Sequence, residues 1–198
     1  KEAEREEDYI LLLPDGVKPI TGGWKEELIS CCMQERVGIV GGKTIGTNGK
    51  VLQNGYICGK GGEVRTLFAG LPEKYKGYCR RAVLAQEVGA VSFAFAVIKK
   101  EAFDRVGGVD ETLPHPYLEM DFCRRLRKAG YAVVQASGVE AVVEKEPDYR
   151  SICGKEGSDV LPLTEAKKKL AKDVEESGSS YDPCYNPNFA ESGKTFTL

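Results

Sequence analysis

Glu119 and Asp121 stand two residues apart at the start of a predicted helix, within a stretch (residues 106–131) that reads VGGVDETLPHPYLEMDFCRRLRKAGY. The positive end of a helix dipole, with its free backbone N–H groups, holds carboxylates ionised. Ionised carboxylates at such a place suit a general base or ligands of a divalent cation. The plainer alternative is an acid pair that complements the helix dipole, worth about 0.3–1 kcal/mol. Arg124, Arg125, Arg127 and Lys128 follow on the same helix. They either meet a phosphate or form a solvated face.

Positioning these groups requires the elements around them. The apolar spacing predicts a helix over residues 117–129, a short helix over 101–106, and strands over 90–99 and 131–136. Upstream, residues 1–8 are good helix formers. Residues 9–13 form a continuous apolar run that reads as a buried, parallel-type strand ending at Pro14-Asp15-Gly16. Thr21 is a candidate N-cap for an amphipathic helix carrying Trp24, Leu28, Cys31 and Cys32, which stops near Gly38. Residues 37–45 read as a Gly-rich strand, 47–50 as a turn, 51–58 as a strand, and 59–77 as a loop lying over a surface or a site. Past Glu146, residues 164–176 make a helix with Leu163, Ala166, Leu170 and Val174 on one face. Ser177-Gly178-Ser179-Ser180 breaks it, before an irregular tail containing DPCYNPNF. Alternating strands and helices place the chain in the α/β class.

At 198 residues the chain fits one domain, 1–198, with a core of sheet and helices in 1–146 and a C-terminal helix and tail in 147–198. The net charge of −2 offers no electrostatic footprint for nucleic acid. No apolar run approaches the roughly 20 residues that span a bilayer, so the expectation is a cytoplasmic chain, with a membrane-peripheral place as the alternative. Seven cysteines include no C-x-x-C pair, and the single histidine, His115, cannot complete a Cys/His zinc set. Reduced thiols are expected, with the adjacent Cys31 and Cys32 serving as small buried hydrophobes.

Taken in order, the motifs resemble family 2 glycosyltransferases. Asp8-Tyr9 and four apolar residues lead into Pro14-Asp15-Gly16, where the family has its metal-binding D-x-D. Val37-Gly38-Ile39-Val40-Gly41-Gly42-Lys43, Asn48-Gly49, Gly70-Leu71-Pro72 and Val88-Gly89-Ala90-Val91-Ser92-Phe93-Ala94 follow. Gly107-Gly108-Val109-Asp110-Glu111, Leu118-Glu119-Met120-Asp121 and the closing Asp182-Pro183-Cys184-Tyr185-Asn186-Pro187-Asn188-Phe189 complete the set, so the likeness runs over nearly the whole chain.

The resemblance implies a GT-A-like mixed sheet flanked by helices, without the family's N-terminal nucleotide-binding half. That half would be supplied in cis or in trans, or the chain would form a homo-oligomer. It implies in-line transfer of a sugar, with inversion at the anomeric carbon, from a nucleotide-sugar to a glycan acceptor. Glu119 takes the place of the catalytic base, with Asp121 beside it. Ser92, Phe93, Ala94, Asp110 and Arg124 fall at substrate-binding positions. Asp15 is the remnant of a Mg2+ or Mn2+ site, and Glu144 stands where many members place a metal-binding histidine. The rivals are a non-catalytic relative that binds glycans or a partner subunit, and a small α/β phosphate-binding protein.

Overall fold

Runs of Val, Ile, Leu and Tyr punctuated by glycine set the strands, and amphipathic stretches set the helices. The computed structural model describes residues 8–145, 160–176 and 182–185. The chain runs β1 (Tyr9–Leu12), β2 (Val17–Pro19), α1 (Trp24–Cys32), β3 (Val37–Gly46), β4 (Val51–Gln53), β5 (Tyr56–Gly59) and β6 (Glu63–Thr66). It continues with β7 (Ala85–Glu87), β8 (Ala96–Lys99), α2 (Lys100–Arg105), α3 (Tyr117–Lys128), β9 (Ala132–Val143) and α4 (Leu163–Glu176). The expectations for residues 1–7, 177–180 and 186–189 lie outside the described residues.

The main sheet has the order β1-β8-β3-β9-β2, with β4 added to β3 and β7 to β9. Among the described strands only β3 and β9 pair in parallel, and every other neighbour is antiparallel. Burial on both faces suits the β-branched composition of this central pair. Their register jumps where Gly42 faces Ala136 and Lys43 faces Glu140, so residues 137–139 bulge out of β9. At the jump Lys43 is buried and its ammonium lies 2.5 Å from the Glu140 carboxylate.

Two apolar layers cover the sheet. On one face Leu28 and Cys32 of α1 join Val40, Phe95, Val97 and Val139, and the Trp24 and Phe95 rings stand 5.4 Å apart. On the other, Met120, Phe122 and Leu126 of α3 join Ile39, Ile98 and Val133, with Ala166, Leu170 and Val174 of α4 in the same cluster. Phe122 meets Phe93 and Phe103 at 5.6 and 5.7 Å between ring centroids. A separate β5–β6 hairpin belongs to this side. The described tail is fastened to it: buried Asp182 accepts hydrogen bonds from the backbone N–H groups of Cys58 at 3.0 Å and Cys184 at 2.9 Å. A Cβ on Gly89 would overlap that carboxylate.

Several expectations are corrected. β1 is an edge strand paired antiparallel with β8, which leaves Leu11 44% exposed; an unbroken apolar run does not by itself distinguish an edge from a centre. Thr21 does not cap α1. Gly23 does so without a side-chain bond, while the Thr21 hydroxyl accepts from Glu140 N at 2.9 Å and donates to Gly138 O at 3.4 Å, pinning the β9 bulge. The strand expected over 51–58 breaks at Asn54-Gly55, where Gly55 has φ +96°, and the loop expected over 59–77 contains β6. Only 96–99 of the expected strand 90–99 is strand, and β7 was not anticipated. β9 continues seven residues beyond the expected end at Ala136, reaching Val143. Leu163 is exposed, outside the apolar face of α4. The cysteine expectation holds for Cys32, fully buried, with its thiol pushed up to about 11 chiefly by burial, and all six described cysteines are free.

Residues 91–95 cross the sheet as a buried loop rather than a strand, and β3 makes room for them with two glycines. A Cβ on Gly41 would lie 2.6 Å from Val91 Cβ, and one on Gly42 would overlap the Phe95 ring. Gly42 N donates to Phe95 O at 2.8 Å, which fixes the loop against the strand. Overpacking of this kind costs about 1–3 kcal/mol. Gly42→Ala is therefore expected to lower unfolding stability in urea by that amount. Gly22→Ala, with open space around its Cβ and no positive φ, should change it by less than about 0.5 kcal/mol.

Candidate active site

The loop that β3 admits carries Ser92, Phe93 and Ala94 to the first turn of α3. There Glu119 is only 1% exposed. Its Oε1 accepts from Phe93 N at 3.0 Å and from the Ser92 hydroxyl at 3.2 Å, and Ser92 Oγ in turn accepts from Ala94 N at 3.2 Å. Glu119 Oε2 lies 2.6 Å from His115 Nδ1. Of the seven residues expected to form the catalytic and substrate-binding site, four, Ser92, Phe93, Ala94 and Glu119, lie together. A carboxylate so enclosed carries a desolvation cost, which among the described residues the two donors to Oε1 offset by hydrogen bonds and the His115 ring beside Oε2 by proximity alone.

The other expected residues lie elsewhere. Asp121 sits two positions on, about 200° around the helix from Glu119, so the two carboxylates leave on different faces. It pairs with Arg125 at 2.8 Å, and that guanidinium also donates to Val106 O and Gly108 O, both at 2.7 Å. Arg124 turns to α4, its Nε 2.8 Å from Asp173 Oδ2, and Lys128 pairs with the same carboxylate. Asp110 Oδ1 accepts from the Thr112 hydroxyl at 2.6 Å and Thr112 N at 3.1 Å, while Oδ2 meets Lys169 of α4 at 2.7 Å. Asp121, Arg125, Lys128, Lys169 and Asp173 line a 240 Å³ cavity between α3 and α4, where Asp121 pairs with Arg125, Asp173 with Lys128, and Lys169 with Asp110 outside the lining.

Asp15 is exposed in the turn between β1 and β2. Gly16, at φ +82°, brings that turn against the end of β9, where Glu144 N donates to Gly16 O at 2.8 Å. Glu144 therefore comes near Asp15 in the fold, but its carboxylate pairs with Lys18 at 2.7 Å. Among the described residues no group of three or more His, Cys, Asp or Glu side chains is arranged to hold a metal ion.

A 470 Å³ pocket opens at the carboxyl ends of the parallel strands β3 and β9, the place where open α/β sheets bind ligands. Thr44 and Gly46 of β3 and Val143 of β9 line it, with Gln53 of β4 and His115 across from them. Sequence reasoning passed over His115, testing it only as a zinc ligand. Its spacing of four residues from Glu119, the separation at which side chains stack along a helix, was the available signal.

Comparison with known proteins places the fold. No protein-family model matches the chain. It is 29% identical over 203 residues to the protein y4gI of Sinorhizobium fredii, covering 99% of this chain and 21% of that one. The O-antigen biosynthesis protein RfbC of Myxococcus xanthus is 24% identical over 182 residues, covering 91% of this chain and 14% of RfbC. The chain thus spans about a fifth and about a seventh of these relatives' lengths. Among solved structures, that of GalNAc-T7 with UDP, GalNAc and Mn2+ superposes with a TM-score of 0.55 at 12% identity, over 85% of this chain and 32% of that one. The fold is accordingly GT-A-like, a mixed sheet flanked by helices. No helix among the described residues is long and apolar enough to cross a membrane.

Burial pushes the Asp110 carboxyl up, but the Lys169 ammonium and the Thr112 hydroxyl and N–H outweigh it and hold it at about 2, below its ordinary 3.8. A carboxyl lowered on folding contributes stability above its unfolded value and loses it as pH falls through the folded one. Asp110 is partly solvated, so the contribution is at most about 1 kcal/mol. Unfolding curves of the protein and of Asp110→Asn should therefore differ above pH 5 and converge between about pH 4 and 2.

Proposed function

We propose that this chain is the acceptor-side part of an inverting, family 2-like glycosyltransferase domain. It would move a sugar from a nucleotide-sugar to a glycan in the assembly of a surface polysaccharide. The observation that carries this reading is the buried Glu119 carboxylate, clamped by Ser92 and Phe93 N and turned through His115 towards a polar pocket at the carboxyl ends of the parallel strands. The GT-A-like fold and the likeness to an O-antigen biosynthesis protein support it. In this reading Glu119 supplies the negative charge that draws the proton from the acceptor hydroxyl as its oxygen attacks the anomeric carbon.

The resemblance also implies a bound Mg2+ or Mn2+. A hard divalent cation takes several oxygen ligands. Exposed Asp15 and the Lys18-paired Glu144 do not supply them, so these residues do not fit the ion and no step is routed through it. Binding of the donor's nucleotide falls, in this reading, to sequence outside the described residues or to a partner subunit. The same misfit favours the second reading, a non-catalytic relative that binds glycans.

Full-length protein assayed by mass spectrometry against nucleotide-sugar and glycan panels separates the two. Glu119→Gln is expected to lower turnover ~10²–10⁴-fold with donor affinity unchanged, because shape is kept and charge is lost. Near-native turnover in that variant would remove Glu119 from the reaction, and glycan binding with no product from any donor would establish the second reading. Calorimetry on the 198-residue chain should give a dissociation constant for UDP with Mn2+ weaker than about 1 mM, equivalent to about −4 kcal/mol. Micromolar, metal-dependent binding would overturn the account of the metal site.

A further inference from the structure

Glu119 is too enclosed to touch a hydroxyl itself. One oxygen is occupied by Ser92 and Phe93 N, the other faces the His115 ring, and the side chain as a whole is 2% exposed. His115 is the group between this carboxylate and the pocket: its side chain is 34% exposed and lines the 470 Å³ space. Building on the proposed function, we infer that His115 takes the acceptor's proton, that Glu119 is its positioning residue, and that the pocket seats a neutral sugar of the acceptor.

The chemistry of the walls supports the class of ligand. Among the described residues His115 and the phenol of Tyr56 are the ionisable groups lining the pocket, and neither is a carboxylate or a fixed cation; Thr44, Thr47, Asn48, Gln53 and Thr66 bring hydroxyls and amides, and Leu52 brings an apolar surface. A phosphate or a uronic acid would find no fixed positive charge there. A polyhydroxyl ring finds donors, acceptors and a hydrophobic wall. Gln53 is only 6% exposed, and its Oε1 has no hydrogen-bond partner among the described residues, an orphaned acceptor in the wall of the pocket. Buried polar atoms left this way call for a partner, and a sugar hydroxyl supplies one.

The proton path follows from the imidazole's two nitrogens. Nδ1 lies 2.6 Å from Glu119 Oε2, so the carboxylate's charge favours a proton on that nitrogen and leaves Nε2 as the atom that acts as base. The acceptor hydroxyl gives its proton to Nε2, and its oxygen forms the new bond to the anomeric carbon. The bond from that carbon to the donor's phosphate oxygen breaks, and the nucleoside diphosphate leaves with the electron pair. The imidazolium is stabilised by Glu119 until it returns its proton to water. Carboxylate support of this kind keeps the ring in one tautomer and one orientation.

The test uses the full-length protein with a donor and acceptor pair that gives product. His115→Gln is expected to lower kcat ~10²–10⁴-fold with the acceptor KM within about threefold. His115→Ala should recover at least tenfold in kcat on adding imidazole, which a purely structural role would not produce. Gln53→Leu should instead raise the acceptor KM several-fold with kcat little changed, and weaken binding of a neutral oligosaccharide in calorimetry. If Glu119→Gln is impaired but His115→Gln keeps kcat within threefold, or if imidazole rescues nothing, the role of His115 is overturned while the proposed function stands. A full-length protein that transfers no sugar overturns both.

Discussion

A carboxylate almost wholly removed from water is the constraint on which the rest of this architecture depends. Leaving Glu119 unpaired would cost several kcal/mol, so its donors are obligatory rather than ornamental. Its hydrogen-bond donors are at residues 92–93, and the ring that approaches its other oxygen is at residue 115. Satisfying them fixes the path of the loop across the sheet and the approach of the chain into α3. The loop can take that path only because β3 presents Gly41 and Gly42 where Val91 and Phe95 press closest. The pair of glycines and the acid are thus two halves of one requirement, one steric and one electrostatic.

The parallel pairing of β3 and β9 decides where chemistry can happen. Antiparallel neighbours bring strand ends of opposite sense to each edge, whereas two adjacent parallel strands deliver their carboxyl ends together and splay their following turns. Here those turns leave a hollow between the β3–β4 connection and the end of β9, with His115 closing one side. The bulge at residues 137–139, held by Thr21, shifts the pairing so that Lys43 finds Glu140 and Thr44 reaches the pocket wall. Helix α3 brings its first turn to the same end, which joins the buried acid to the open space.

Much of this was legible in the residues. The 3.6-residue spacing of Leu28 with Cys32, and of Ala166, Leu170 and Val174, located helices, and glycine marked their limits. Failures came where one signal reports two things. The apolar run at residues 90–95 records burial, and burial was mistaken for a strand when the segment is an irregular crossing. Strands β6 and β7, at four and three residues, are too short to show an alternation above the background of a polar loop. The site divided in the same manner. Ser92 to Ala94 and Glu119 converge as their motifs suggest, but Asp121 turns to Arg125, because adjacency in sequence on a helix is not adjacency in space. His115 escaped notice because a lone histidine has no motif, and its partner is revealed only by the fold.

Asp182 reaches back 124 residues to the backbone of Cys58, and synthesis must run that far before the bond exists. At about 5–20 residues per second, the hairpin carrying Cys58 waits roughly 6–25 s after leaving the ribosome for the carboxylate that occupies the notch beside Gly89. Through that interval water fills the notch and solvates the Cys58 N–H. Contacts of such long range slow closure of the native topology, so the last step in assembling this sheet's cover is set by translation as much as by diffusion. A chain ending before residue 182 leaves the Cys58 N–H and the notch beside Gly89 to water.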